Sequence, residues 1–216
     1  MRPRVTVFVT GTGTDIGKTW LSVAILQNAR GRHLRVAARK PVQSFDPSER
    51  VTDADLLGDA SGEPPATVCP DHRWYGVPMA PPMAAASLGA PPPFMADLIQ
   101  EIDRSWPNPA VDLGLIEGAG GVASPLASDG DSAALAMAIS PNVVVLVADA
   151  GLGAINAVRL SRTALEPLPV VVYLNRFDHE QELHERNRAW LAEVDGLEVS
   201  CDRDDLAGRV LALAGV

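Results

Sequence analysis

The chain has 216 residues, more than the ~150 of an ordinary domain, and is 47% apolar and 21% charged, which excludes a disordered chain and a coiled coil. Eighteen Lys and Arg against 27 Asp and Glu leave a formal charge of -9, which repels a nucleic-acid backbone and an anionic membrane surface. Two cysteines, Cys69 and Cys201, are too few for a disulfide framework, have no Cys-x-x-Cys spacing and suit a reducing, cytoplasmic setting.

The first element, Val5 to Val9, is a short β-branched run that reads as a strand, too brief for the apolar part of an export signal. A glycine-rich stretch follows, then Thr19 to Ala29, a helix with Leu21, Ile25 and Leu26 on one face. Further apolar runs at Leu34–Ala38, Leu113–Ile116, Val143–Ala148 and Val170–Leu174 read as strands buried on both faces, and none approaches the ~20 residues of a membrane span. Helices are expected near Asp53–Asp59, Phe94–Arg104, Ser132–Ile139, Ile155–Leu165, Glu180–Glu193 and Asp205–Leu213. The alternation predicts an α/β fold, a mostly parallel sheet flanked by helices on both faces. One domain is expected over residues 1–216, with an excursion at about 64–109. That stretch holds 11 of the 18 prolines, but Trp74, Met79, Met83 and Trp106 make it too apolar for a solvated linker.

Gly11-Thr12-Gly13-Thr14-Asp15-Ile16-Gly17-Lys18-Thr19 lies between the first strand and the first helix. There its glycines let backbone N–H groups converge on an anion, the helix dipole adds to them, and Lys18 brings a mobile cation to the β- and γ-phosphates. Thr19 is placed to ligate Mg²⁺, and the expected fold is therefore P-loop NTPase-like, a single ATP-binding domain. The spacing is one residue longer than the strict phosphate-loop pattern, because the first glycine stands at Gly11 and not at position 12. A dinucleotide site is a poor reading, since the third glycine is missing and Lys18 would have no role. Lys40, held extended by Pro41, and Glu117 emerge at strand ends on the edge where such sheets bind ligands. Mg²⁺ takes one or two carboxylates beside phosphate oxygens; Glu117 offers one, and Asp53 or Asp55 the second, although either aspartate would also serve as a helix cap.

The loop, with Lys40-Pro41-Val42-Gln43-Ser44, Glu117-Gly118-Ala119-Gly120-Gly121 and Gly151-Leu152-Gly153-Ala154-Ile155-Asn156 in this order and spacing, resembles the ATP-dependent dethiobiotin synthetases over residues 5 to about 178. The resemblance implies a ligase of biotin biosynthesis. Carbon dioxide would add to one amine of 7,8-diaminopelargonic acid to give a carbamate, and the carbamate oxygen would attack the γ-phosphate of ATP. The second amine would then close the ureido ring on the carbamic-phosphoric anhydride, leaving dethiobiotin, ADP and phosphate. It implies catalytic roles for Lys18, Lys40, Thr14 and Ser44. Nucleotide contacts would come from Gly13, Thr14, Asp15, Ile16, Gly17, Lys18, Thr19, Glu117, Gly118 and Gly120, with Asn175 reading the adenine edge. Metal ligation falls to Thr19, Glu117 and Asp55, with Asp53 the fallback. Lys40, Ser44, Pro81, Gly153, Ala154 and Asn156 would bind the diamine, the last three across a two-fold homodimer whose sites lie at the subunit interface.

Three positions depart from the family's pattern. Phe45 stands where glycine is common and would crowd the carbamate pocket or reshape its loop; Ala157 replaces a histidine; and the Gly-x-Ile-Pro-Trp-Leu stretch that helps hold adenine is absent, Leu197–Cys201 being a poor substitute. Nucleotide preference is therefore open. The main alternative is a diverged paralogue that uses ATP on another amine or carboxylate. A partitioning-type ATPase switch lacks its second lysine, the position being Gly13, and a cobyrinic acid diamide-type synthetase would need a glutaminase domain for which 216 residues leave no room. His33, His72, His179 and His184 have no zinc-ligand spacing and are expected at the surface.

Overall fold

The computed structural model describes residues 1–213. In chain order its elements are β1 (Val5–Gly11), α1 (Lys18–Gly31), β2 (Val36–Arg39), β3 (Gln43–Ser44), α2 (Asp53–Ser61), α3 (Pro65–Val68), β4 (Trp74–Tyr75), α4 (Pro81–Ser87) and α5 (Met95–Ser105). They continue with β5 (Leu113–Glu117), β6 (Pro125–Ala127), β7 (Gly130–Asp131), α6 (Ser132–Ile139), β8 (Val143–Asp149), α7 (Ala154–Ala164), β9 (Val170–Asn175), α8 (Glu182–Ala189), β10 (Glu198–Ser200) and α9 (Arg203–Leu213).

Six strands form one parallel sheet in the order β10-β9-β8-β1-β5-β2. Their side chains alternate between two cores, as a period of two requires. Phe8, Ile116, Val144, Leu146, Val172 and Leu174 face one layer of helices, while Val7, Val9, Leu115, Val145, Val147 and Val171 face the other. On the second face α1 buries Leu21, Ile25 and Leu26, the stripe that its spacing predicts. Because every strand runs the same way, Gly11, Arg39, Glu117, Asp149 and Asn175 all end at one edge of the sheet, and the loops after them share it.

The α/β expectation is met, with three local differences. β10 is a sixth strand, too short to register as a run. The expected helix over 180–193 is α8 followed by a π-helical turn at Trp190–Val194. The proline-rich excursion carries two unexpected helices, α3 and α4, each with proline in its first turn, where the missing N–H has no partner to lose. Trp106 is buried there under the Arg39 guanidinium, 4.8 Å from the ring centroid. Met79 and Met83 are exposed and not core. His184 is half-buried, its Nδ1 accepting from the Asp178 N–H, while His33, His72 and His179 are exposed. Among the described residues no helix is long and apolar enough to cross a membrane.

Candidate active site

The glycine-rich segment wraps the end of β1. Gly11 pairs with Val147 as the last residue of that strand, so the extra residue of the spacing is absorbed by the sheet and the loop proper begins at Thr12. The Ile16 side chain lies over Gly11: a Cβ there would sit 2.3 Å from Ile16 Cδ1 and would push that side chain aside. Asp15 at φ +57° and Gly17 at φ +95° give the loop the left-handed turns from which anion-binding backbone nests are made. Asn175 Nδ2 donates to the Ile16 carbonyl at 2.7 Å and so fastens the phosphate loop to the end of β9, a role that the sequence does not announce. Lys18 is buried, with Nζ donating to the Gly13 carbonyl at 2.9 Å. Burial and the neighbouring Lys40 charge push its pKa below the ordinary lysine value.

Beside the loop lies a charged cluster. Lys40 Nζ is 2.6 Å from both Glu117 Oε1 and Asp53 Oδ2 and 3.3 Å from the Gly118 carbonyl, which uses all three of its protons. Thr19 Oγ1 lies 2.7 Å from Asp53 Oδ1 and 2.9 Å from Glu117 Oε1, and Ser22, one turn further along α1, donates to Glu117 Oε2 at 2.6 Å. Glu117 is fully buried and Lys40 2% exposed. Burial alone would lower the Lys40 pKa, but the two carboxylates outweigh it and hold the ammonium above its ordinary value. Burial likewise works against the Asp53 carboxylate, and Lys40, Thr19 and Lys18 overcome it, so its pKa falls below the usual range.

The aspartate brought to Thr19 is thus Asp53 and not Asp55. Asp55 is spent on the start of α2, where Oδ2 accepts from the Thr52 N–H and hydroxyl, both at 2.8 Å, in a capping box. The two roles separate by mutation. Asp53→Asn is expected to raise the Mg²⁺ concentration for half-maximal turnover about tenfold or more. Asp55→Ala is expected to cost about 1 kcal/mol in urea unfolding and to leave the Mg²⁺ requirement alone; the reverse pattern would restore Asp55 to the metal.

These groups open onto a cavity of about 580 Å³. Of the residues expected from sequence, Thr14, Asp15, Gly17, Lys18 and Thr19 line one side of it, and Lys40, Ser44, Pro81 and Gly120 another. Gly13, Ile16, Glu117 and Gly118 are not among its lining residues. Gly153, Ala154 and Asn156, at the start of α7, do not line the cavity. Residues that the sequence reading passed over are Ser22, Gln43 and Trp20. The Gln43 side chain accepts from the Ala54 N–H at 3.0 Å and fixes the start of α2. The Trp20 indole, half exposed on the cavity rim, lies 5.7 Å from the Arg203 guanidinium. Position alone could have flagged Trp20, the residue after Thr19.

Among the described residues no three His, Cys, Asp or Glu side chains gather as a metal cluster. The donor set of Thr19 Oγ1, Asp53 and Glu117 still suits a hard cation: Mg²⁺ takes oxygen ligands at 2.0–2.1 Å, whose octahedral neighbours stand about 2.9 Å apart. Thr19 Oγ1 lies 2.7 Å from Asp53 Oδ1 and 2.9 Å from Glu117 Oε1, so the three oxygen donors stand close enough together to share one such ion.

A family model described as an AAA domain matches residues 5–199. The chain is 34% identical to the ATP-dependent dethiobiotin synthetase BioD of Anaeromyxobacter dehalogenans, over 97% of this chain and 96% of that protein. It belongs to the dethiobiotin synthetase family. The BioD protein of Caulobacter vibrioides is 41% identical over 75% of this chain and 73% of its own. A plasmid partition protein from Borrelia burgdorferi, at 12% identity, superposes with a TM-score of 0.58 over 99% of this chain and 98% of that one, a likeness of fold alone. In this family member Phe45 lies on the cavity wall; its N–H pairs with the Tyr75 carbonyl at 3.0 Å and its ring meets Trp74 edge-on, with centroids 6.1 Å apart.

Proposed function

We propose that the chain is an ATP-dependent dethiobiotin synthetase, closing the ureido ring of dethiobiotin from 7,8-diaminopelargonic acid and carbon dioxide. The observation that carries this reading is the convergence of Lys40, Asp53 and Thr19 on the cavity, with the buried Glu117 bonded to Lys40 and Thr19 and with Lys18 and the phosphate loop beside them. The loop N–H groups and Lys18 hold the β- and γ-phosphates of ATP. Thr19, Asp53 and Glu117 hold Mg²⁺, which when bound would neutralise phosphate oxygens and so favour attack at phosphorus. Lys40, locked by three acceptors, is a fixed cation at the site of transfer, and Thr14 and Ser44 donate to the carbamate or the phosphate. No protein nucleophile is required, because phosphoryl transfer rests on alignment and charge. Asn175, with Nδ2 engaged, keeps Oδ1 to accept from the base.

The enzyme acts as a homodimer in this reading, a second copy bringing Gly153, Ala154 and Asn156 to the diamine's carboxylate. Leu152 and Leu160, 92% and 68% exposed, flank that segment as apolar surface for a partner to cover. One observation favours the related reading, ATP used on another amine or carboxylate: the Phe45 ring on the wall where the carbamate would lie. Phosphate release with MgATP and bicarbonate separates the two. Release that depends on the diamine supports the synthetase, and release indifferent to it supports the alternative.

A further inference from the structure

The phosphate loop is held from outside by two consecutive residues. Asn175 Nδ2 takes the Ile16 carbonyl, and Arg176 Nη2 takes the Asp15 carbonyl, each at 2.7 Å. In a planar trans peptide the C=O of one residue and the N–H of the next point in opposite directions. Drawing the Asp15 and Ile16 carbonyls toward the end of β9 therefore turns the N–H groups of Ile16 and Gly17 the other way, into the hollow of the loop. Among the described residues, none of the N–H groups of residues 13–17 is taken by a protein acceptor.

Arg176 is itself anchored. Its Nη1 lies 3.0 Å from Asp149 Oδ2, and Asp149 Oδ1 accepts from the Gly151 N–H at 2.9 Å. The register of β8 with β9 sets Asp149 directly beside Asn175, and Arg176 turns out of the strand at φ +56°, which swings its side chain across the strand ends. Asp149 stays ionised to lower pH than an ordinary carboxyl, through the Gly151 N–H first and then Arg176, against a modest cost of burial. The chain of contacts runs from the phosphate loop through Arg176 and Asp149 to Gly151, the head of the segment assigned above to the diamine.

We propose that Arg176 is a positioning residue for the nucleoside triphosphate: its guanidinium, braced by Asp149, holds the loop with its N–H groups aimed at the phosphates and links that loop to the segment beginning at Gly151. This rests on the reading of the loop as a triphosphate site. The pair is exposed, with side-chain accessibilities of 61% for Arg176 and 48% for Asp149, so it adds little to folding, and its effect belongs to binding.

The test is calorimetric titration of the full chain with a non-hydrolysable ATP analogue and Mg²⁺, alongside thermal unfolding without nucleotide. Arg176→Met is expected to weaken binding about tenfold or more, with Tm within about 2 °C of the parent. Arg176→Lys, able to reach one acceptor but not to bridge two, is expected to recover part of the loss, and Asp149→Asn to weaken binding about threefold. In steady state the KM for ATP should rise by more than kcat falls. Unchanged affinity in Arg176→Met would overturn the proposal, as would a fall in Tm large enough to account for the loss. A parent protein that binds no nucleotide would overturn this inference together with the triphosphate reading. A parent that binds nucleotide but makes no ureido product would remove only the proposed reaction, and the Arg176 comparison would still decide.

Discussion

Lys40→Met is expected to lower turnover about a thousandfold and to destabilise the fold by about 3–5 kcal/mol. Both effects come from one position. Lys40 Nζ lies 2.6 Å from both Asp53 Oδ2 and Glu117 Oε1, and Glu117 is fully buried. Removing the ammonium leaves that carboxylate buried with the Thr19 and Ser22 hydroxyls for company, a costly arrangement even when hydrogen-bonded. A second change separates the roles. Lys40→Met with Glu117→Gln removes both charges, so urea unfolding should recover most of the lost stability while turnover stays lost. Recovery of turnover in the double variant would show that Lys40 serves only to neutralise Glu117. The stabilising contribution of Lys40 should be flat across neutral pH. Its pKa is raised in the fold, so the contribution is complete below the ordinary lysine pKa and is lost only as pH rises past the folded value.

Lys18→Met is expected to reduce kcat/KM for ATP by about a thousandfold with no loss of stability. Here the sign is opposite. Burial, with the Lys40 charge nearby, lowers the Lys18 pKa, so the protonated side chain detracts from folding at neutral pH and ceases to do so only above the unfolded pKa. Replacing it relieves that cost, and thermal unfolding without nucleotide should place the variant at or above the parent. Only the parent should gain Tm on addition of MgATP. A variant that lost stability without nucleotide, or kept the full MgATP shift, would show that Lys18 supports the loop and does not hold phosphate.

How much of this was legible in the sequence depends on the kind of signal. The loop could be placed because glycine spacing, a preceding strand and a following helix agree, and Lys40 and Glu117 because a parallel sheet delivers its strand ends to one edge. The choice between Asp53 and Asp55 was decidable in principle. Thr52 followed three residues later by a carboxylate is a capping-box pattern, which assigns Asp55 to the helix start and frees Asp53, but two aspartates in one turn obscure it. Ser22 was hidden because its role depends on facing Glu117, 95 residues away. Arg176 was hidden because nothing local marks a positive φ at an arginine or a carbonyl acceptor 161 residues distant. Asn175 is expected from the resemblance to read the adenine edge; its Nδ2 donates to the Ile16 carbonyl and holds the loop, a contact that pattern alone does not reveal.

The measurement that bears most directly on the proposed reaction follows the oxygen of carbon dioxide. The purified chain would be mixed with MgATP, 7,8-diaminopelargonic acid and oxygen-18-labelled carbon dioxide, and phosphate and organic product read by mass spectrometry within seconds, before the label exchanges with water. If a carbamate oxygen attacks the γ-phosphate and the second amine then displaces phosphate from the carbonyl carbon, each phosphate leaves with one labelled oxygen and the ureido carbonyl keeps the other. Diamine-dependent phosphate carrying that label, in equal amount to dethiobiotin, is the expected result. Unlabelled phosphate, released at the same rate without the diamine and with no ureido product, would contradict it.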